Sequence, residues 1–199
     1  MTRFMVHDLG CACGRHFRRP LFHSLTATQT PGLRYAVLAG VFNTVQCPSC
    51  ERIARVNLAF LYQDPSHNRL VYVYPLDNPD GDDNAEAVTR MRLYLSDALD
   101  AFPEETAGLP EPLVVFGLDQ LAELIGEDMP DDEYLGSVFF DARPGARSER
   151  AARAVAARMA ADAAGYVYSW REGGRLHLQV VASGKTLQEM TSGATPELE

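Results

Sequence analysis

Apolar residues fall along this chain in short runs punctuated by glycine, proline and acidic turns, with two longer helical stretches among them. Phe4 to Val6 reads as a strand that ends at Asp8-Leu9-Gly10. The next apolar positions, Phe17, Leu21, Phe22 and Leu25, follow no single period, and Pro20 confines any strand there to an edge or splits it in two. Thr30-Pro31-Gly32-Leu33 carries the capping threonine and first-turn proline of a helix start, with Leu33, Ala36, Val37 and Ala39 as its apolar face and Gly40 as its stop. Val41 to Val45 and Ile53 to Tyr62 read as the two arms of a hairpin. After the turn at Asp64-Pro65-Ser66-His67-Asn68, Leu70 to Tyr74 is the most strand-like run; Leu61 to Tyr74 is expected as a second hairpin arm in the same sheet.

Farther along, Asp77 to Asn84 reads as an acidic loop and Ala85 to Phe102 as a helix with Val88, Met91, Leu95 and Leu99 along one stripe. Pro112 to Gly117 predicts a buried strand and Leu118 to Gly126 a short helix. The acidic stretch Glu127 to Glu133 lacks the alternating oxygen ligands, central glycine and closing glutamate of a calcium loop, so it reads as a solvated loop. Ser137 to Phe140 is a strand. Arg147 to Ala164 is an alanine-rich helix whose expected face is Ala151, Val155, Met159 and Ala163. Tyr166 to Trp170 and Arg175 to Val181 flank a hairpin turn at Arg171-Glu172-Gly173-Gly174. From Gly184 onward the residues are small and polar and are expected to fray.

Composition narrows the class. With 199 residues and 46% hydrophobic content the chain is long enough for one large or two small domains, and no stretch approaches a membrane span. The first residues lack the apolar run and cleavage site of a secretory signal, which points to the cytoplasm. The net charge of −9 conceals a partition. Residues 1–76 carry eight arginines and three acids, residues 77–135 two arginines and seventeen acids. The global balance argues against non-specific nucleic-acid binding but leaves a basic N-terminal surface.

That basic region holds all four cysteines, as Cys11-Ala12-Cys13 and Cys47-Pro48-Ser49-Cys50. Two local pairs joined by the excursion from Gly14 to Gln46 have the layout of a zinc ribbon, in which four thiolates complete a tetrahedral site. Arg15, Arg18, Arg19, Arg52 and Arg55 are placed to offset the −2 of such a site. The single residue between Cys11 and Cys13 narrows that pair's bite. The competing reading is a redox dithiol at Cys47 and Cys50, but such a thiolate is activated at a helix start, and the residues after Cys50 favour a strand. His16 and His23 are near enough to replace a ligand, yet the set is already complete; His7, His67 and His177 have no partner at a ligand spacing. Tyr72, Tyr74, Tyr166, Tyr168 and Trp170 read as strand core ahead of a groove. No nucleophile-elbow, zincin, dinucleotide or phosphate-loop motif occurs.

With both cysteine pairs in place, the sequence resembles the CpXC domain family of bacteria and archaea. The likeness runs through Pro31-Gly32-Leu33, Leu38-Ala39-Gly40-Val41-Phe42-Asn43 and Leu61-Tyr62-Gln63-Asp64-Pro65, then weakens to Val115-Phe116 and Leu121-Ala122-Glu123-Leu124-Ile125. The resemblance covers roughly residues 5–135. It implies metal ligands at Cys11, Cys13, Cys47 and Cys50 and names no reaction. Glu51 stands where a glycine commonly follows the second pair. The expected architecture is α+β: zinc-ribbon-like β-hairpins joined to a mixed α/β body, with a C-terminal strand–helix–strand–strand extension. Residues 1–135 would form the cysteine-bearing domain, and 136–199 a small lobe packed on it or an addition to its sheet. The function expected is a non-enzymatic module, holding one structural Zn2+ per chain, that contacts protein. The alternatives are a thiol-disulfide oxidoreductase using Cys47 and Cys50 and a nucleic-acid-associated zinc-ribbon adaptor.

Overall fold

Strand β1 (Arg3–Gly10) turns back at Cys11-Ala12-Cys13-Gly14 into β2 (His16–Thr26), and the two pair antiparallel. The turn closes through a hydrogen bond from the Gly14 amide to the Cys11 carbonyl (2.8 Å), with Gly14 at φ +84°. The computed structural model describes residues 2–75, 110 and 112–192, and between them 89, 92, 93, 96, 97 and 100. Pro20 does not split β2. It pairs with Val6 on one side, and only Ser24, Leu25 and Thr26 find a neighbour on the other, in β5, so the missing proline N–H faces an unpaired stretch.

Helix α1 (Pro31–Leu38) starts as expected, with Gly40 at φ +68° just past its end. Thr30 makes no side-chain cap, however; its hydroxyl lies 2.7 Å from that of Thr2 and ties the helix start to the residue just before β1. The expected strand Ile53 to Tyr62 divides. Strands β3 (Thr44–Gln46) and β4 (Ile53–Arg55) form a separate two-stranded ribbon, whereas β5 (Phe60–Asp64) and β6 (Arg69–Tyr74) belong to a larger sheet. The reason is visible in burial: Ile53, Ala54 and Arg55 are all exposed, while every residue of β5 is buried, so one alternating strand cannot serve both.

The larger sheet runs β1-β2-β5-β6-β7, with β7 (Leu113–Phe116) parallel to β6. Strand β7 is an edge strand with only Val115 buried, rather than the buried strand expected. Helix α2 (Gly117–Glu127) follows and packs with α1 over one face. Leu25, Val37, Phe42, Tyr62, Leu121 and Ile125 lie at the centre of that core, each almost wholly out of water. The described positions within 85–102 are helical. The stripe Val88, Met91, Leu95 and Leu99 and the loop 77–84 lie outside the described residues.

The C-terminal part builds its own sheet, β8-β10-β9, from β8 (Leu135–Ala142), β9 (Tyr166–Glu172) and β10 (Arg175–Ser183). Strand β10 lies antiparallel to both neighbours, so β8, helix α3 (Ala146–Asp162) and β9 form a split strand–helix–strand unit. The hairpin turn falls at Gly173-Gly174, both at positive φ. Helix α3 presents Ala156, Ala160 and the following Ala163 to the sheet, with Ala152 and Met159 beside them, while Val155 is 52% exposed. The buried face is therefore rotated from the stripe through Ala151 and Val155. Small side chains at 152, 156 and 160 let the helix lie close to the strands, and closeness outweighs the larger valine. Residues 184–192, expected to fray, form helix α4 (Gly184–Ser192), anchored by buried Leu187. Residues 193–199 lie outside the described residues.

Helix α1 also packs against β9 and β10. Gly32 approaches so closely that an added Cβ would lie 2.0 Å from the Gly165 carbonyl oxygen. Gly32→Ala should therefore destabilise the protein by about 1–3 kcal/mol through overpacking; an unchanged denaturation midpoint would contradict this packing.

Below that contact, buried Asp64 holds the β5–β6 turn. It accepts from the Ser66 amide (3.1 Å) and the Tyr62 hydroxyl (3.2 Å) and lies 3.0 Å from His67 Nδ1. Burial alone would raise its pKa, but the bond and charge of His67, with the Tyr62 hydroxyl and Arg34, hold it below the ordinary value. The ionised form thus adds stability that is complete above the unfolded pKa of about 3.9 and is lost as pH falls through the lower folded value. Asp64→Asn should flatten the acid limb of a urea-midpoint profile; an acid limb as steep as that of the parent chain would count against the assignment.

Candidate metal centre

Each cysteine pair sits on a turn whose backbone shape the local sequence dictates. Cys11 and Cys13 occupy the β1–β2 turn, where the Cys11 amide donates to the Arg15 carbonyl (2.9 Å). Cys47 and Cys50 occupy the β3–β4 turn, closed by hydrogen bonds from the Cys47 amide to the Arg52 carbonyl (2.9 Å) and from the Glu51 amide to the Cys47 carbonyl (3.1 Å). Glu51 lies at φ +57°, the left-handed region that glycine occupies without strain. The geometry accounts for glycine as the usual residue after such a pair, and here Glu51 holds the conformation while its carbonyl accepts from Gln46 (2.8 Å).

The two turns bring all four sulfurs within 4.8 Å of one another. Cys11 Sγ lies 3.6 Å from Cys50 Sγ, and Cys13 Sγ lies 3.7 Å from Cys47 Sγ. A tetrahedron with metal–sulfur bonds of about 2.3 Å has edges of about 3.8 Å. A disulfide would require about 2.0 Å, and all four cysteines are free. The donor set therefore fits a tetrathiolate ion in both chemistry and spacing. This cysteine cluster could chelate a metal. Cys47 is buried, Cys11 half-buried, and Cys13 and Cys50 exposed, so the cluster is open to water on one side.

The thiols do not share one acidity. Cys47 is lowered to about 6, chiefly because the Cys50 amide, then that of Ser49, donates to its sulfur. Cys50 receives the Arg52 amide, which lowers it, but the crowding Cys11 and Cys13 thiols outweigh that and push it up to about 11.

The arginines expected to offset the thiolate charge have other partners in part. Arg18 pairs with Asp8 (3.1 Å) and Arg55 with Asp119 (3.0 Å). The histidines stay outside the sulfur cluster, but three have partners that linear spacing did not reveal. His7 and His23 meet across the hairpin with Nε2 atoms 2.7 Å apart and stacked rings; burial and the facing imidazole both lower the pKa of His23. His177 lies 2.6 Å from Asp141 and stacks on Trp170. The only signal for these pairs in the sequence is strand register, which a sequence without turn assignments cannot supply.

One residue beside the cluster escaped the sequence reading. Gln46, directly before Cys47, uses its side-chain amide as a strand would. Its Oε1 accepts from the Arg171 amide (2.8 Å), and its Nε2 donates to the Arg171 carbonyl. The cysteine ribbon is thereby fastened to edge strand β9 of the C-terminal sheet. Gln46→Ala removes both bonds and should cost about 1–2 kcal/mol in denaturant unfolding; an unaltered midpoint would contradict the fastening.

Residues 9–127, more than half of the chain, match the model of the CpXC protein family. No curated protein and no solved structure matches the chain. Among the described residues no helix is long and apolar enough to cross a membrane. The match spans both cysteine pairs with their turns, the β3–β4 ribbon and strands β2, β5, β6 and β7 of the larger sheet, and the chain belongs to the CpXC protein family.

Proposed function

We propose that this chain is a zinc-stabilised interaction module that contacts protein and carries out no reaction at its metal. The observation that supports this most is the meeting of four sulfurs from two turns distant in sequence, all within 4.8 Å of one another and with two separations, 3.6 and 3.7 Å, close to the edge of a zinc tetrathiolate. Cys11, Cys13, Cys47 and Cys50 are the ligands in this reading, one Zn2+ per chain, in the cytoplasm where thiols stay reduced. Zinc with four thiolates has no open position for a reacting water, so its role is to hold the chain. Cross-linking a loop of this length removes about 3–4 kcal/mol of unfolded-chain entropy on the usual loop-closure relation. Residues 1–135 form the metal-bearing unit and residues 136–199 a lobe docked on it.

The contact role draws support from β1. It is an edge strand, and Phe4, Met5 and Val6 are 62%, 59% and 53% exposed along it. A long apolar strand edge left open in water invites pairing with another chain. The redox alternative is disfavoured because strand β4, not a helix, follows Cys50, so no helix starts at this pair.

Elemental analysis of untagged protein should return about one zinc per chain. Cys47→Ser, or a strong chelator applied to the parent chain, should lower the thermal midpoint and expose the remaining thiols to a thiol reagent. Protein that is folded, reduced and metal-free would overturn the reading.

A further inference from the structure

A cleft of about 450 Å³ opens where β2, the β3–β4 ribbon and edge strand β9 meet. That volume falls in the range of small-molecule sites, about 300–1,000 Å³. Three guanidinium groups line it from three separate elements: Arg19 of β2, Arg153 of α3 and Arg171 of β9. Thr44, Pro48 and Trp170 complete the wall.

The three cations differ in how they are held. Arg171 is fixed in advance: Glu149 grips its guanidinium through both oxygens, at 3.1 and 2.5 Å, and Gln46 holds its backbone. Arg19 lies over the Phe17 ring, 5.6 Å from the centroid, and donates to the Arg18 carbonyl (3.1 Å). Among the described residues neither Arg19 nor Arg153 has a carboxylate at ion-pair distance. Glu149 acts on Arg171 and also on Arg153, and Glu51 acts on Arg171 at longer range, so two acids face the three guanidiniums. On the same wall the Thr44 hydroxyl is buried with no hydrogen-bond partner among the described residues.

These groups want the same thing. Guanidinium N–H groups donate and never accept, and a buried hydroxyl needs a partner. A cation is repelled, and a neutral polyol would leave the charges unmet. A tetrahedral oxyanion, with acceptor oxygens on every side, suits guanidiniums arriving from three directions better than a planar carboxylate does. We propose that this cleft binds a phosphate-bearing small molecule, gripped jointly by the cysteine-bearing module and the C-terminal lobe. The site stands on the cleft and its side chains, independently of which metal the cysteines hold.

Trp170 is the only tryptophan of the chain and lines the cleft, so its emission reports occupancy directly. The full-length protein is titrated with inorganic phosphate and, separately, with glycerol phosphate, against sodium chloride at matched ionic strength. A saturable emission change with either phosphate probe, absent with chloride, is the expected result. Arg19→Ala and Arg153→Ala, both surface changes, should each weaken binding about tenfold, and Arg153→Lys should recover part of it. Equal affinity for the two probes identifies free phosphate as sufficient; tighter binding of the ester assigns the rest of the cleft to an organic group. No saturable change at millimolar probe, or an unchanged response in the Arg19→Ala/Arg153→Ala double variant with a native circular dichroism spectrum, would overturn the proposal.

Discussion

Mutual approach of four sulfur atoms is the constraint on which the N-terminal half depends. The β1–β2 turn and the β3–β4 turn share no backbone hydrogen bond among the described residues, and their strands belong to different sheets. What else links the two strand systems is modest: Asn43 exchanges hydrogen bonds with the backbone of Phe22 at 2.8 and 3.0 Å. The first sheet is well cored around Leu25, Tyr62 and Leu121, but its hydrophobic contacts stop short of the cysteine turns. Ile53, Ala54 and Arg55 are exposed, and Val45 is the only strand residue of the ribbon that is buried. A ribbon of two three-residue strands cannot stand in water on backbone pairing alone. An ion held among the four sulfurs, as proposed, would supply what hydrophobic burial does not.

The C-terminal sheet meets this arrangement in more than one way, and two of the contacts among the described residues differ in character. One is a steric fit, in which Gly32 of α1 and Gly165 before β9 let two backbones touch. The other is polar, in which Gln46 satisfies the outward-facing N–H and C=O of Arg171 on an edge strand. Because Gln46 adjoins Cys47, the position of the cysteine ribbon and that of β9 are not independent. The arginine-lined cleft lies between them, so its shape depends on both.

Much of this was readable from residue order, for identifiable reasons. Hairpins with glycine turns, the proline-led start of α1 and the paired cysteines carry local signals, and the structure follows them. Where the sequence misled, longer-range packing decided. Ile53 to Tyr62 is β-prone throughout, yet it serves two sheets, and its alternation already fails between Ile53 and Val56, which stand three apart. The α3 stripe through Val155 looked the more hydrophobic, but close approach selected Ala156 and Ala160. Residues 184–192 carry few apolar groups, and Leu187 becomes an anchor only because β8 and β10 offer it a pocket. Gln46 and the His7–His23 pair were invisible, since nothing local marks a glutamine that will cap a strand edge or two imidazoles that register will bring together. The four cysteines were legible as a candidate set; that their sulfurs lie within 4.8 Å of one another required coordinates.

X-ray absorption at the zinc edge of the purified, reduced protein tests the central claim most directly. The account predicts a first shell of four sulfurs at about 2.3 Å and no oxygen or nitrogen scatterer. A shell containing nitrogen or oxygen, or the absence of zinc from a folded and fully reduced sample, would contradict it.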